Sequence, residues 1–537
     1  MKRFLIFICI FTAINVCAQD TKTEQIFDAM QQEMKRTMTL SKTEPKIHFA
    51  ALKVTDAAEI SVIAARGGIA QVNQGSQVFT DAALRVGTQK EDNSFFEALT
   101  YNQSAVQNGA ISPEGVRAGL WAASDASYKK ALDIYSRKQG YKNKKAQEEV
   151  FDDFTPANTA QDVKTYEKTI FPVEILKEIA QKTSAAGALK ELEKFNTQVS
   201  AIEEISYYLS SEGAKYTRQD VLIQIVFYAK GRTKNGFEFS DTKTLTYAAL
   251  KDIPSVGELE NTALVFAQQT AKFTEAQKGT AFIGPVWLSG EASAKMFENA
   301  FIKNINNTRK IIFDMGGGNF QYALGEFALK ENLKVLPVNF DVVDDPMQQE
   351  FNGQKMLGAY TVDDEGAKAK VLSLVKNGIL KDLPKTRALI KNQTKTNGHG
   401  FINWGQDLYA KARVRNLFFF PHETTFIEEF KQKFMDYCRE EGLEYCYKIT
   451  TRNIGEKGDI LAIKINAITG EETPVYGLNS PALNTRTLRD IKFAADDLTL
   501  YNTTAGISYV VPSVILSEAE LTPSQASPSA KMLVTRP

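Results

Sequence analysis

Apolar residues return every fourth position from Ile26 through Met30 and Met34 to Met38. They share one stripe, which predicts a helix over 22–39. The period then shortens. Ile60 to Ala65 is dense in β-formers, Gly67-Gly68 marks a turn or bulge, and Gln77 to Val86 resumes an extended pattern. A second helix follows, with Ser112 at its cap, Pro113 at its first position, and Val116, Leu120, Ala123, Tyr128, Ala131 and Ile134 along it. The basic stretch from Lys138 to Lys145 predicts that this helix ends exposed and solvated.

Residues 146–165 are polar and acidic, contain Pro156 and read as a connector. Ile170 to Phe195 reads as mostly helical. Strands follow at Ile202 to Leu209 and Val221 to Ala229, with a turn at Ser211-Glu212-Gly213, and Asn235-Gly236 predicts a hairpin. Asp252 to Phe273 is a further helix. Beyond it lie a loop at Gly316-Gly317-Gly318, an apolar run from Val335 to Val343, a turn at Asp363-Asp364-Glu365-Gly366, and a short helix from Ala367 to Gly378. Thr425 and Glu428 form a capping box that opens a helix with Phe426, Phe430, Phe434 and Cys438 on one stripe. Leu461 to Ile468 and Gly506 to Leu516 are extended, no repeat of fixed period appears, and the tail after Leu521 reads as disordered. The expected class is α+β: an N-terminal helix-and-sheet region followed by a larger β-rich C-terminal domain. The expected segments are 1–18, 19–145, 146–275 and 276–537.

Residues 1–18 read as an export signal. Lys2 and Arg3 precede an apolar run from Phe4 to Phe11, and Val16-Cys17-Ala18 sets a cut before Gln19. Cys17 leaves a lipoprotein reading open, against which Val16 stands where such signals prefer a small residue. The run is shorter than the roughly 20 residues a membrane span needs, and no later segment qualifies. A periplasmic location is expected. Lysine plus arginine and aspartate plus glutamate number 64 each, so no basic field favours a nucleic-acid partner. After the signal only Cys438 and Cys446 remain. In an oxidising compartment they are a candidate disulfide, with two buried apolar thiols as the alternative.

The segment Gly284 to Glu298 reads GPVWLSGEASAKMFE. It resembles the central segment of the TldD/PmbA family of zinc peptidases and their non-catalytic relatives, whose active members carry HExxxH there and a cysteine ligand further on. Asp344-Asp345-Pro346, Asp363 to Gly366 and Asn377-Gly378-Ile379-Leu380 are similar to the family's C-terminal portion in order and spacing. Ser211-Glu212-Gly213 and Val511 to Leu516 also resemble its turns and closing strand. On this pattern Glu291 keeps the glutamate, but the histidine positions are Gly290 and Lys295. Glycine has no ligand atom and an ammonium has no lone pair. Neither cysteine stands in the family's Gly-Cys-Gly context, and His399 sits in a segment similar to a family turn that is not a ligand.

The resemblance implies a subunit that is not itself catalytic. It would bind unfolded or extended peptides for proteolysis by a zinc-bearing relative, or form a homo-oligomer, with β-augmentation as the physical route. The alternatives are an active metallopeptidase whose site is rebuilt or completed by a partner, and a structural envelope protein. No cofactor is expected; zinc belongs only to the first alternative. Glu291 is the candidate catalytic residue, as a general base. Read from its neighbours, it is a carboxylate in the first turn of a helix running to about Ile305, where the helix dipole favours it. His48, His399 and His422 are too dispersed in sequence for a compact zinc site. His422-Glu423 lacks a histidine one turn on, where Phe426 stands. Asp341, Asp344, Asp345, Asp363, Asp364 and Glu365 offer hard oxygens for calcium or magnesium without EF-hand spacing, and otherwise read as acidic turns.

Overall fold

The computed structural model describes residues 22–524 apart from 97–104, 145–151, 170, 310, 313–324, 389, 391–392, 394, 405–408, 451–453, 455–458 and 504. The export signal, the triple-glycine loop and most of the tail therefore lie outside the described residues.

Helix α1 spans 22–38 and buries Ile26, Phe27, Met30 and Met34. Strands β1 (Ile47–Ala65) and β2 (Gly68–Val86) form one long hairpin. Its two-residue turn is Arg66-Gly67, with φ of 52° and 81°, the doubly positive geometry that matches strand twist. Strand β3 (Ala105–Asn108) pairs with β2. Helix α2 (Pro113–Lys144) starts where Ser112 Oγ accepts from Gly115 N at 3.1 Å. Then come β4 (Gln161–Asp162), α3 (Val173–Ala186), β5 (Lys194–Ser210), β6 (Lys215–Arg232) and β7 (Glu238–Tyr247). These strands make one sheet in the order β3-β2-β1-β5-β6, with β4 and β7 sharing the outer edge of β6. Strands from both sides of the boundary expected at 145/146 are joined here, because β1 pairs with β5 along Ala51 to Ala65.

Strand alternation divides this sheet into two faces. Leu52, Val54, Val62, Val199, Ile223, Ile225 and Phe227 point to the face covered by the helices. Helices α1 and α2 pack on one half of it. Helix α3 and α4 (Val256–Ala271) pack on the other; α4 opens on a capping box between Ser255 and Glu258. The opposite face carries Phe49, Lys53, Tyr208, Tyr216 and Arg218, and it meets the C-terminal half of the chain.

That half begins with β8 (Gln277–Lys278), β9 (Phe282–Leu288) and α5 (Glu291–Ala300). Next are β10 (Phe340–Asp344), a ribbon of β11 (Glu350–Phe351) and β12 (Gln354–Lys355), then β13 (Leu372–Lys376) and β14 (Ile379–Leu380). Strands β15 (Gly400–Phe401), β16 (Lys411–Ala412) and β17 (Asn416–Pro421) precede α6 (Ile427–Glu440). The chain finishes with β18 (Tyr445–Ile449), β19 (Asp459–Asn466), β20 (Glu472–Asn479), β21 (Ile491–Ala494), β22 (Thr499–Asn502), β23 (Ser508–Val511) and β24 (Val514–Leu521). One sheet runs β14-β13-β10-β17-β23-β22 and another β21-β24-β9-β18-β19-β20-β8. The apolar core between them includes Phe297 of α5, Phe301 just past its end and Phe419 of β17, and Trp287, Phe430 and Phe434 from β9 and α6. Cys438 and Cys446 are joined, tying the end of α6 to β18. The class is α+β, with helices on an antiparallel sheet followed by a β-rich region. Among the described residues no helix is long and apolar enough to cross a membrane.

Four local expectations need correction. Lys138 is not at a solvated helix end. It is 2% exposed, and its ammonium donates to Asp153 Oδ2 at 2.6 Å and to the carbonyls of Asp92 and Ser94; residues 92–94 and 153 close over the helix. The helix expected from Ala367 to Gly378 is instead the hairpin β13–β14. Asn377 and Gly378 have φ of 49° and 73°, so this Asn-Gly pair turns a hairpin as such pairs do. The capping box at Thr425 is not formed. Phe426 takes the cap position with 65% of its surface exposed, and Asp496 Oδ1 accepts from Ile427 N at 2.9 Å. A cap supplied from beyond β21 leaves no local sequence signal. The helical stretch expected over 170–195 is also shortened to α3, with β5 starting at Lys194.

Candidate functional site

Strand β9 delivers the chain to Ser289 and Gly290, and α5 begins at Glu291. Gly290 has φ 57° and ψ −131°, a backbone state that a residue with a Cβ enters only at a cost. Glu291 lies in the first turn, where the helix dipole favours a carboxylate. Its Oε1 accepts from Thr244 N, on the outer edge of β7, at 3.2 Å. One turn on, Lys295 Nζ faces Glu298 Oε1 and Oε2 at 3.3 and 3.4 Å. Tyr509 donates its hydroxyl to Glu298 Oε2 at 3.5 Å, and Tyr501 stacks on Tyr509 with ring centroids 6.0 Å apart. Asp241, also on β7, is pushed up to about 7 by burial and by the nearby Glu291 charge, against donation from Thr242 N. Burial and then Glu291 raise the Tyr501 phenol as well. Helix α5 stops at Ala300, with a short 3-10 turn over Ile302–Asn304 carrying the chain to Ile305.

The residues here do not fit a zinc ion. Gly290 offers no donor atom, Lys295 presents an ammonium already held by Glu298, and the sulfurs of Cys438 and Cys446 are bonded to each other. The histidines stand apart, each beside a different carboxylate: His48 near Asp92, His399 near Asp344, His422 near Asp341. Among the described residues no three His, Cys, Asp or Glu side chains converge as a metal site would require.

The six acidic residues are divided among separate tasks. Asp341 takes Lys376 and Asn377 N, and Asp344 takes Asn416 N at 2.7 Å. Asp345 caps its own turn through Met347 N. Asp363, Asp364 and Glu365 form the expected turn, and all three are buried. Asp363 accepts from Glu365 N, Ala367 N and Gly400 N, and Asp364 from Tyr216, Arg218 and Ile402 N. Glu365 Oε2 accepts from Arg387 N at 2.6 Å. Arg387 is fully buried. It clasps Glu212 through two bonds of 2.6 and 3.0 Å, donates to Thr155 O, and lies 3.8 Å over the Phe154 ring. This cluster bolts the polar face of the first sheet to the C-terminal half. Burial and the Glu365 charge raise Asp363 well above the carboxylate range; burial also raises Asp364, but Arg218 and Lys53 outweigh it and leave that group lowered.

Beside this junction is a cavity of about 530 Å³, within the ~300–1,000 Å³ usual for ligand sites. Its wall from the first sheet includes Lys53, Asp81, Glu204, Arg218 and Asp220. The opposite wall includes Phe401, Trp404, Arg413, Arg415 and the turn between β22 and β23. The same β22–β23 hairpin borders both places, since Tyr501 reaches within 4.0 Å of where a Cβ on Gly290 would sit. Sequence reasoning missed the cavity. Its strand residues alternate with core residues and carry the ordinary signature of a solvent face.

Residues 283–435 match the family model of the PmbA/TldA metallopeptidase C-terminal domain. No curated protein matches the chain. Among solved structures it is similar to a candidate modulator of a DNA gyrase from Thermotoga maritima MSB8, with TM-score 0.60 and 14% identity over 92% of this chain and 100% of that one. It is similar to TldE from Thermococcus kodakarensis, with TM-score 0.59 and 13% identity over 92% and 100%. A third is a candidate modulator of DNA gyrase from Bacteroides thetaiotaomicron VPI-5482, with TM-score 0.58 and 14% identity over 92% and 98%. At such identities the likeness carries the fold alone.

Proposed function

We propose that the chain, whose residues 283–435 match the C-terminal domain of the PmbA/TldA metallopeptidases, is a metallopeptidase-related protein of the TldD/PmbA type that binds unfolded or extended peptides without cleaving them itself. The carrying observation is the start of α5. The position of the first histidine is a glycine in a positive-φ conformation, and that of the second is a lysine paired with Glu298. With no metal-bound water to activate, Glu291 has no hydrolytic task. Its carboxylate instead occupies a backbone donor on a sheet edge.

That edge supports the peptide reading. Strand β7 is paired with β6 on one side only. Across the seam β22 is also an edge, paired only with β23. An extended peptide pairing along the free edge of either strand meets backbone donors and acceptors whatever its sequence, which is β-augmentation. Proteolysis would then belong to a zinc-bearing relative, with this chain as its partner subunit or as a homo-oligomer. Export to the periplasm is part of the same proposal. The bond between Cys438 and Cys446 suits an oxidising compartment.

The test combines metal analysis of the purified protein with calorimetric titration of reduced, unfolded casein fragments and a cleavage assay with and without chelator. Binding without cleavage and without stoichiometric zinc is the expected result. Chelator-sensitive cleavage with one zinc per chain overturns it in favour of an active peptidase. No binding at high micromolar peptide leaves the structural envelope reading.

A further inference from the structure

The edges of the three large sheets are closed in different ways. Strands β4, β8 and β14 are two residues long, and β3, β21 and β22 are four; short edges offer little to pair with. On β7 two amides of the edge are taken. Thr242 N donates to Asp241 Oδ1 at 2.8 Å and Thr244 N to Glu291 Oε1 at 3.2 Å. Strand β2 has neither device. Among the described residues no strand pairs with its outer side from Gly68 to Gly75, beyond the end of β3. No charged residue occurs from Gly67 to Thr80, although charge on an edge is a common guard against pairing.

The direction of the free groups follows from the last bond to β3. Gly109 N donates to Ser76 O at 3.5 Å. In an antiparallel pair that outward direction recurs at every second residue, so Gln74 and Val72 turn amide and carbonyl away from β1. The regular run ends at Ala70, the extra residue of a bulge, because Ile63 faces Gln71 while Ala64 faces Ile69. Gln71 to Gly75 are therefore a straight, neutral edge, and all but Gly75 are exposed. The hairpin tip is pinned to α3: Gly67 N donates to Ser184 Oγ at 3.0 Å, and Gln181 Nε2 to Gly67 O at 3.5 Å.

We propose that this edge pairs with the same edge of a second copy of the chain, antiparallel about a two-fold axis at Asn73, which joins the two sheets into one. The proposal gives the homo-oligomer of the functional reading a surface, and it does not depend on peptide binding. In this register Val72 of each chain exchanges two backbone bonds with Gln74 of the other, and Gln71 faces Gly75. Asn73 faces its own copy at a non-hydrogen-bonded position, where Cα atoms approach to about 4.5 Å. A side-chain amide both donates and accepts, so it complements an identical amide. A charged residue there would meet its own charge, which is why a self-pairing edge is neutral. A second copy also brings a strand that is already extended and held, so neither side loses the backbone freedom that a free peptide loses on pairing.

The experiment is sedimentation equilibrium of the mature chain. Its mass is expected to rise from one chain toward two between low and high micromolar protein. Asn73→Lys and Asn73→Glu each set like charges face to face and should each weaken self-association at least tenfold, while an equimolar mixture of the two should recover the dimer. Val72→Pro removes an outward amide that β1 does not use, a position where an edge strand accepts proline, and should also weaken the dimer at least tenfold. Near-unchanged thermal midpoints at low concentration show that the variants fold. A wild-type chain that stays monomeric at high micromolar overturns the proposal, and so does a dimer that all three variants keep. A mixture that stays monomeric overturns the two-fold at Asn73. Casein-fragment titration of Val72→Pro separates the two readings: unchanged peptide binding leaves the peptide reading standing whatever the sedimentation result, and peptide binding lost in Val72→Pro, with a monomeric wild type, gives this edge to a peptide and overturns the second copy.

Discussion

The start of α5 and the cavity lie along one seam, share the β22–β23 hairpin, and differ in what their polar groups lack. At α5, Glu291 holds a backbone amide and Lys295 holds Glu298; the charges are answered from within the chain. In the cavity, Arg218 and Trp404 keep buried donors with no answer. A place where chemistry would be expected from family resemblance is internally satisfied, and a place without any motif is not. Motif position reports residue identity, whereas an unmet buried donor reports an energetic condition on the folded molecule.

Both regions require the seam to stay closed, so the largest effect comes from opening it. Arg387→Ala leaves Glu212 without its buried cation and Glu365 with Arg85 alone, and should cost ~3–5 kcal/mol in denaturant unfolding. A loss below 1 kcal/mol would mean that the halves are held elsewhere. The closed character of the α5 region predicts a pH effect at Asp241. Its folded value near 7 lies above the unfolded carboxylate value of about 3.9. Between those values the folded chain binds more protons than the unfolded one, so stability falls as pH rises from about 4 to about 7 and then levels. Asp241→Asn should raise the thermal midpoint at pH 8, and the gain should vanish near pH 4; equal midpoints at both pH values would show that Asp241 is well solvated.

Restoring a histidine should not restore a metal site. Gly290→His forces a side chain into a backbone state that is essentially glycine's alone, at ~1–3 kcal/mol, and the double variant with Lys295→His still lacks a third ligand. Equilibrium dialysis should find no stoichiometric zinc in either, and one tightly held zinc would show that this end of the seam is less closed than its hydrogen bonds indicate. The smallest stability effect belongs to the cavity: Trp404→Phe should move unfolding by less than about 1 kcal/mol, since relief of an unmet buried donor and the packing lost with the smaller ring oppose each other. A loss of several kcal/mol would mean that the indole N–H is satisfied inside the protein.

Much of the fold was legible because it follows short-range rules. The four-residue apolar repeat of α1, the Asn235-Gly236 hairpin and the Ser112-Pro113 helix start all depend on neighbours within a few positions. The failures came where distant chain decided the outcome. Lys138 reads as solvated until residues 92–94 and 153 fold over it. The turn at Asp363 to Gly366 is where the sequence places it, but nothing local says that Arg387 and Tyr216 reach it and that it is buried. The Asn377-Gly378 hairpin was readable from its dipeptide and was outweighed by a helix pattern upstream. For the site, the ligand-poor positions Gly290 and Lys295 were visible at once, because a side chain's donor atoms are a property of the residue alone.

What the chain determined by itself is therefore local geometry and local chemistry: which segments extend or coil, and which positions have no atom to give a metal. Tertiary structure decided which of two sheet faces meets water. Alternation says only that Lys53, Glu204 and Arg218 share a face; whether that face is solvated or roofed depends on the C-terminal half of the chain packing against it. Roofing is what turns ordinary strand charges into buried donors that want a partner.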